Sequence, residues 1–188
     1  MNAIRIVDYD PEWRRLFGLH RREVETLLGE LAADIHHIGS TSVPGLAAKP
    51  KIDMDAVVRL PDVMKAVERI RPAGFAFHGD PYGEGRWTFT HGYGSYGIRL
   101  YVCGPDNRAH IDRMLFRDWL RPHSEDAAAY EALKRHLAVE ASGNWDFYTD
   151  GKSTFVTEIV KRAQAQLISP LDGEMSGRAE EDGGGSAT

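Results

Sequence analysis

Apolar positions change period several times along this chain, and each change marks an element. Trp13, Leu16, Phe17, Val24, Leu27, Leu28 and Leu31 recur at roughly helical spacing, which predicts an amphipathic helix. Asp10-Pro11 precedes it, with Asp as N-cap and Pro at the first helical position. Ile4 to Val7 reads as a short extended segment. Residues 34–38 read as a strand ending at Gly39. Residues 51–58 read as a second strand, apolar enough to be buried on at least one face. Pro61-Asp62 opens a helix through Arg71, and Pro72 with Gly74 closes it.

A β-rich section follows, with candidate strands at Gly74–Phe77, Arg86–Thr90 and Ile98–Cys103. Residues 79–97 hold six glycines together with Tyr82, Trp87, Tyr93 and Tyr96. They form either loops able to close over a ligand or two loose hairpin turns. The remainder reads as helix. Leu115, Phe116, Trp119 and Leu120 mark one. Ser124 caps a second carrying Tyr130, Leu133 and Leu137. Ser153 caps a third carrying Phe155, Val156, Ile159 and Val160. This order predicts an α+β fold (an α/β sandwich) with a small mixed sheet.

Composition narrows the class. A chain of 188 residues favours one domain and can bury a core without disulfides. Cys103 is the only cysteine, which fits a reducing compartment. No run approaches the ~18 apolar residues of a membrane span, and no secretory signal is evident. A cytoplasmic protein without a membrane partner is expected. The net charge of −5 is unevenly spread: residues 169–188 carry −4 of it, leaving −1 for residues 1–168. Those last residues, rich in Gly, Ser and Glu, read as a disordered acidic tail, and 1–168 as the single domain. A nearly neutral body argues against nucleic acid as a partner.

The chemistry concentrates between residues 39 and 55. Gly39-Ser40-Thr41-Ser42 leaves the first strand. Glycine allows close backbone approach to phosphate oxygens, and hydroxyls add donors. Beyond Ser40 and twelve intervening residues, Asp53 and Asp55 stand two apart on the second strand and therefore share one face. Two carboxylates side by side repel, and Mg²⁺, a hard cation preferring oxygen ligands, removes that conflict. Lys49 and Lys51 flank Pro50 and can offset triphosphate charge. His36 and His37 are adjacent on a strand, face opposite sides and form no zinc pair. Gly151-Lys152-Ser153 lacks the leading glycine and the strand-loop-helix setting of a P-loop.

The chain resembles the GrpB family, which is similar in fold to the nucleotidyltransferase superfamily. The residues carrying the resemblance are Tyr9-Asp10-Pro11-Glu12-Trp13, the run from His37 to Pro50, Asp53, Leu100-Tyr101-Val102-Cys103, Phe116-Arg117-Asp118-Trp119-Leu120-Arg121 and Tyr148-Thr149-Asp150-Gly151-Lys152. The resemblance implies a Mg²⁺-dependent protein that binds a nucleoside triphosphate and transfers a nucleotidyl group to an unknown small-molecule or protein acceptor. Asp53 and Asp55 would be the catalytic and metal-binding pair. Gly39, Ser40, Thr41, Ser42, Lys49, Lys51, Arg99 and Lys152 would bind the nucleotide phosphates. The superfamily pattern includes a third carboxylate on a neighbouring strand. Here residues 98–103 read Ile-Arg-Leu-Tyr-Val-Cys and carry none. Ile98, Arg99 and Met114 stand where family members often have histidines. Arg99 either contacts phosphate or pairs with Asp53 or Asp55, and Glu84 is the remaining candidate base. Two alternatives stay open: a catalytically degenerate nucleotide- or phosphate-binding module, and an interaction domain acting through the C-terminal helices.

Overall fold

The second predicted strand forms as β2 (Lys51–Val57), and its alternation decides the architecture. Ile52, Met54 and Ala56 are wholly buried on one face. Lys51, Asp53 and Asp55 belong to the other face. β5 (Tyr96–Cys103) repeats the pattern in parallel register. Its Ile98, Leu100 and Val102 align with Ile52, Met54 and Ala56, whereas Arg99 and Tyr101 align with Asp53 and Asp55. The centre of the sheet thus has one apolar and one polar side.

The computed structural model describes residues 4–31 and 34–168; the predicted tail at 169–188 lies outside the described residues. The five-stranded mixed sheet has the order β1 (Asp34–Ile38), β2, β5, β4 (Arg86–Tyr93), β3 (Ala76–Phe77). The β2–β5 pair is parallel and the other three are antiparallel. Helices α1 (Glu12–Leu28) and α2 (Val63–Ile70) cover the apolar side. Trp13, Val24 and Leu28 from α1 join Ala66, Val67 and Ile70 from α2 in the main core. The polar side lies under α3 (Arg108–Leu120), α4 (Ser124–Glu140), the short α5 (Trp145–Asp150) and α6 (Ser153–Ile168). A second cluster joins these helices to the β1–β2 connection through Val43, Leu46, Leu120 and Tyr130, with Phe116 and Val156 against it. The architecture is the expected α+β class.

Some local expectations shift. Asp10 accepts a hydrogen bond from the Glu12 amide at 2.9 Å, as an N-terminal cap should. Ser124, by contrast, is the first residue of α4 and not its cap. The Gly- and Tyr-rich stretch after residue 86 is an ordered hairpin. β4 and β5 pair as far as Tyr93 and Tyr96, leaving only Gly94-Ser95 as the turn. The Tyr93 and Tyr96 rings stack with centroids 5.1 Å apart, and the Tyr96 hydroxyl lies 2.9 Å from His20 Nε2. These contacts fix the turn against α1. Among the described residues no helix is long and apolar enough to cross a membrane.

The two-sided sheet gives a direct test of packing. Met54→Ala, in the wholly buried face, is expected to cost about 2–5 kcal/mol in urea denaturation. Met64→Ala, half exposed on α2, should change stability by less than ~0.5 kcal/mol. Similar losses at both positions would contradict the burial of the apolar face of the sheet beneath α2.

Candidate functional site

β1 is followed by Gly39, whose φ of +70° is a conformation that side-chain-bearing residues avoid. A Cβ there would stand 2.8 Å from Asp53 Oδ2, so glycine is what lets the turn press against that carboxylate. The Ser40–Ser42 turn that follows is held by its own hydroxyls. Thr41 Oγ1 donates to the Lys51 carbonyl at 3.1 Å and accepts from His37 Nε2 at 3.0 Å. Ser42 Oγ donates to the Gly39 carbonyl at 2.5 Å. His37 stacks on Phe17 with centroids 4.6 Å apart; burial, and then Arg121 and Arg117, push its imidazole down to about 3. Neutral His37 is therefore a structural donor. His36 lies on the opposite side of β1, its ring 5.1 Å from that of His110, so the adjacent histidines form no metal pair.

Helix α3 clamps this turn from outside. Arg117 Nη1 donates to the His37 carbonyl at 3.0 Å, and Arg121 Nη2 donates to the Ser42 carbonyl at 3.0 Å. Asp118 lies between them, 2.7 Å from Arg117 Nε and 3.2 Å from Arg121 Nη1. The Phe116–Arg121 segment thus positions the turn without itself supplying charged groups to the cavity.

Behind the turn lies a cavity of about 260 Å³. Six cationic side chains line it: Lys49, Lys51, Arg99, Arg113, Lys134 and Lys152. They come from the β1–β2 connection, β2, β5, α3, α4 and the turn before α6. Asp53 is the one carboxylate among the lining residues, and Gly39, Ser40 and Thr41 form part of the wall. Burial raises the Asp53 pKa, opposed by Arg99, Lys51, Arg113 and Lys49. Burial, followed by the neighbouring Lys152, pushes Lys49 down to about 8. Burial likewise lowers Lys152 to about 8 and Lys134 to about 7. The Tyr148 ring serves both lysines of the rim, with Lys152 Nζ 4.1 Å and Lys49 Nζ 4.8 Å from its centroid. Lys134, only 2% exposed, donates to the Ala47 carbonyl.

Asp55 has a different environment. It has no exposure at all, and both of its oxygens are engaged. Arg113 Nη1 donates to Oδ1 at 3.0 Å, and His110 Nδ1 lies 2.9 Å from Oδ2. The same guanidinium lies 4.0 Å from the Tyr101 ring centroid. Asp55 is not among the cavity-lining residues, and neither is Ser42. Arg99 aligns with Asp53 and reaches the cavity, and its Nε is buried without a hydrogen-bond partner. Glu84 is outside, with Oε2 3.4 Å from Arg86. The donor set does not fit a metal held by the Asp53–Asp55 pair, because an arginine and a histidine already occupy Asp55. Among the described residues no three His, Cys, Asp or Glu side chains cluster as a metal site.

The structure therefore brings together Gly39, Ser40, Thr41, Lys49, Lys51, Asp53, Arg99 and Lys152, and leaves Asp55 and Ser42 behind the wall. Sequence reasoning missed Arg113, His110, Lys134, Tyr130 and Tyr148 as parts of the site. One signal was available: Lys134 falls four residues after Tyr130 and three before Leu137, on the buried stripe of α4. Arg113 and His110 had no comparable local signal.

A mixed α+β domain with a cationic cavity on the polar side of its sheet is the class defined so far. The chain belongs to the GrpB protein family, which matches residues 3–162. A UPF0157 protein of Halalkalibacterium halodurans is 38% identical over 174 residues, covering 87% of this chain and 84% of that protein. The crystal structure of the conserved protein GrpB from Enterococcus faecalis superposes with a TM-score of 0.79 at 28% identity, over 88% of this chain and 100% of that one. A dephospho-CoA kinase of Mycolicibacterium paratuberculosis is 27% identical over 85% of this chain, and the match spans 46% of that protein.

The two aspartates should respond differently to substitution. Asp55→Ala leaves Arg113 and His110 facing an empty partner position and is expected to cost about 3–5 kcal/mol in guanidinium denaturation. Asp53→Asn, which breaks no ion pair among the described residues, should change stability by less than ~1 kcal/mol. The reverse order of losses would refute the division of roles between the two carboxylates.

Proposed function

We propose that the cavity binds the phosphate chain of a nucleoside triphosphate. One observation carries this reading: six cationic side chains from separate parts of the fold converge on one cavity that holds a single carboxylate. Structural cations usually find carboxylate partners nearby, as Arg135 does with Asp8 and Glu131. A cluster of like charge held close together is repulsive unless an anion completes it. Ser40 adds a hydroxyl at the wall, and the Gly39 turn permits close backbone approach. The dephospho-CoA kinase relative supports the reading at the level of its name, which is that of a phosphoryl-transfer protein. A cytoplasmic setting suits it, because triphosphates are supplied there.

Transfer of the nucleotidyl group to a small-molecule or protein acceptor is the second reading, implied by the resemblance to nucleotidyltransferases. The observation favouring it is Asp53, a carboxylate that faces the cavity and makes no ion pair among the described residues. Pyrophosphate release in an acceptor screen, lost in Asp53→Asn, would distinguish it from binding alone.

Calorimetry with each nucleoside triphosphate, both with MgCl₂ and with EDTA, tests the binding reading. Lys49→Gln and Lys152→Gln should each weaken binding about tenfold to a hundredfold, since a charge-assisted hydrogen bond contributes about 1.5–3 kcal/mol. No binding in either condition would refute it. The pH dependence has a fixed sign. Burial brings Lys49 and Lys152 down to about 8, where they face each other and Lys51, Lys134, Arg99 and Asp53. An anion raises their pKa towards the ordinary lysine value, so binding takes up protons near pH 8. Affinity should therefore fall as pH rises from 7 to about 9. Titrations in buffers of differing ionisation heat will show the proton uptake.

A further inference from the structure

We infer that this site takes its polyphosphate ligand free of divalent metal, with lysine and arginine side chains doing the neutralisation that Mg²⁺ does elsewhere. The inference rests on the triphosphate reading above and specifies the chemical form of the ligand.

Three observations support it. The first is the donor set. A metal bridging phosphate to protein needs carboxylates that face the phosphate. Asp55 does not face it, since Arg113 at 3.0 Å and His110 at 2.9 Å engage its two oxygens behind the wall. Asp53 remains alone.

The second is charge. With all four lysines protonated, as an anion beside them favours, the six cavity cations set against Asp53 and the paired Asp55 leave a net formal charge of +4. A triphosphate chain carries about four negative charges near neutral pH. Complexation by Mg²⁺ would halve that charge and bring a divalent cation among six like charges, where each approach is repulsive.

The third is that two of the cations are held by protein partners and a third keeps an unpartnered donor. Lys134 is buried and anchored on the Ala47 carbonyl, which uses one of its three protons. Arg99 carries a buried Nε with no partner in the protein. Arg113 is oriented by Asp55 on one side and the Tyr101 ring at 4.0 Å on the other. Such groups stabilise an anion without reorganising. The carboxylate that a nucleotidyltransferase would give to a metal is here used to aim a guanidinium. Asp53, in turn, repels the phosphate chain and sets an upper limit on how tightly the cavity holds it.

The test is calorimetric titration of the full chain with inorganic triphosphate and with ATP, first in EDTA and then in excess MgCl₂. Binding in EDTA roughly tenfold tighter than in excess MgCl₂ is expected, and tighter binding in MgCl₂ would overturn the inference. Asp53→Asn should tighten binding in EDTA about tenfold, by removing a negative charge beside the ligand. Binding that requires MgCl₂ and is lost in Asp53→Asn would overturn the inference while leaving the triphosphate reading intact. No binding in either buffer would overturn both. If Asp53→Asn fails to fold, the comparison of EDTA with MgCl₂ on the unaltered protein decides alone.

Discussion

A carboxylate at the centre of a sheet, sealed from solvent, is tolerable only when both of its oxygens are partnered. Asp55 meets that condition through α3, which supplies Arg113 to one oxygen and His110 to the other. The requirement fixes α3 in place over the polar side of β2. Once α3 is there, Arg117 and Arg121, one and two turns further on, reach the carbonyls of His37 and Ser42 and hold the Gly39 turn. Phe116 and Leu120 of the same helix join the second apolar cluster and bring in Tyr130 of α4. The cavity is what remains between these fixed parts.

The side facing the cavity inverts the logic of the core. On the apolar side, shape complementarity among Ile52, Met54, Leu100 and the helices above them contributes stability. On the polar side, burial first and neighbouring cations second depress the lysine pKa values, an arrangement that costs stability. Perturbed groups gathered in a cleft are a recognised mark of functional sites. The cost is borne by the apolar side, where the burial is nearly complete.

Much of the fold was legible because it is periodic. Residues 51–58 read as a largely apolar strand with Asp53 and Asp55 on one face, and β2 forms at Lys51–Val57 with those two on its polar side; the strand at 34–38 ends at the residue expected. The hairpin from 86 to 103 was shortened at both inner ends, since glycines weaken β-propensity and the Tyr93–Tyr96 stack that compensates is invisible to local pattern. In the site, residues close to the turn in sequence were found: Gly39, Ser40, Lys49, Lys51 and Asp53. The role of Asp55 was not, because its partners lie 55 and 58 positions away. Arg99, a candidate partner of either aspartate by sequence, is the cross-strand neighbour of Asp53, but the pair that forms on Asp55 is with Arg113. Two arginines on different elements offer the same charge, and only tertiary packing chooses between them.

The parallel pairing of β2 with β5 has a kinetic consequence. Asp53 and Arg99 face each other across strands separated by 46 positions of chain. Closing so long a loop must precede any reward from the contacts it makes, and parallel pairs cannot nucleate from a turn. The β4–β5 hairpin, joined by two residues, can form early and alone; the floor of the cavity cannot. No contiguous fragment shorter than the span from β1 to α6 carries the whole wall. The cavity therefore arises late in folding, as a property of the finished sheet.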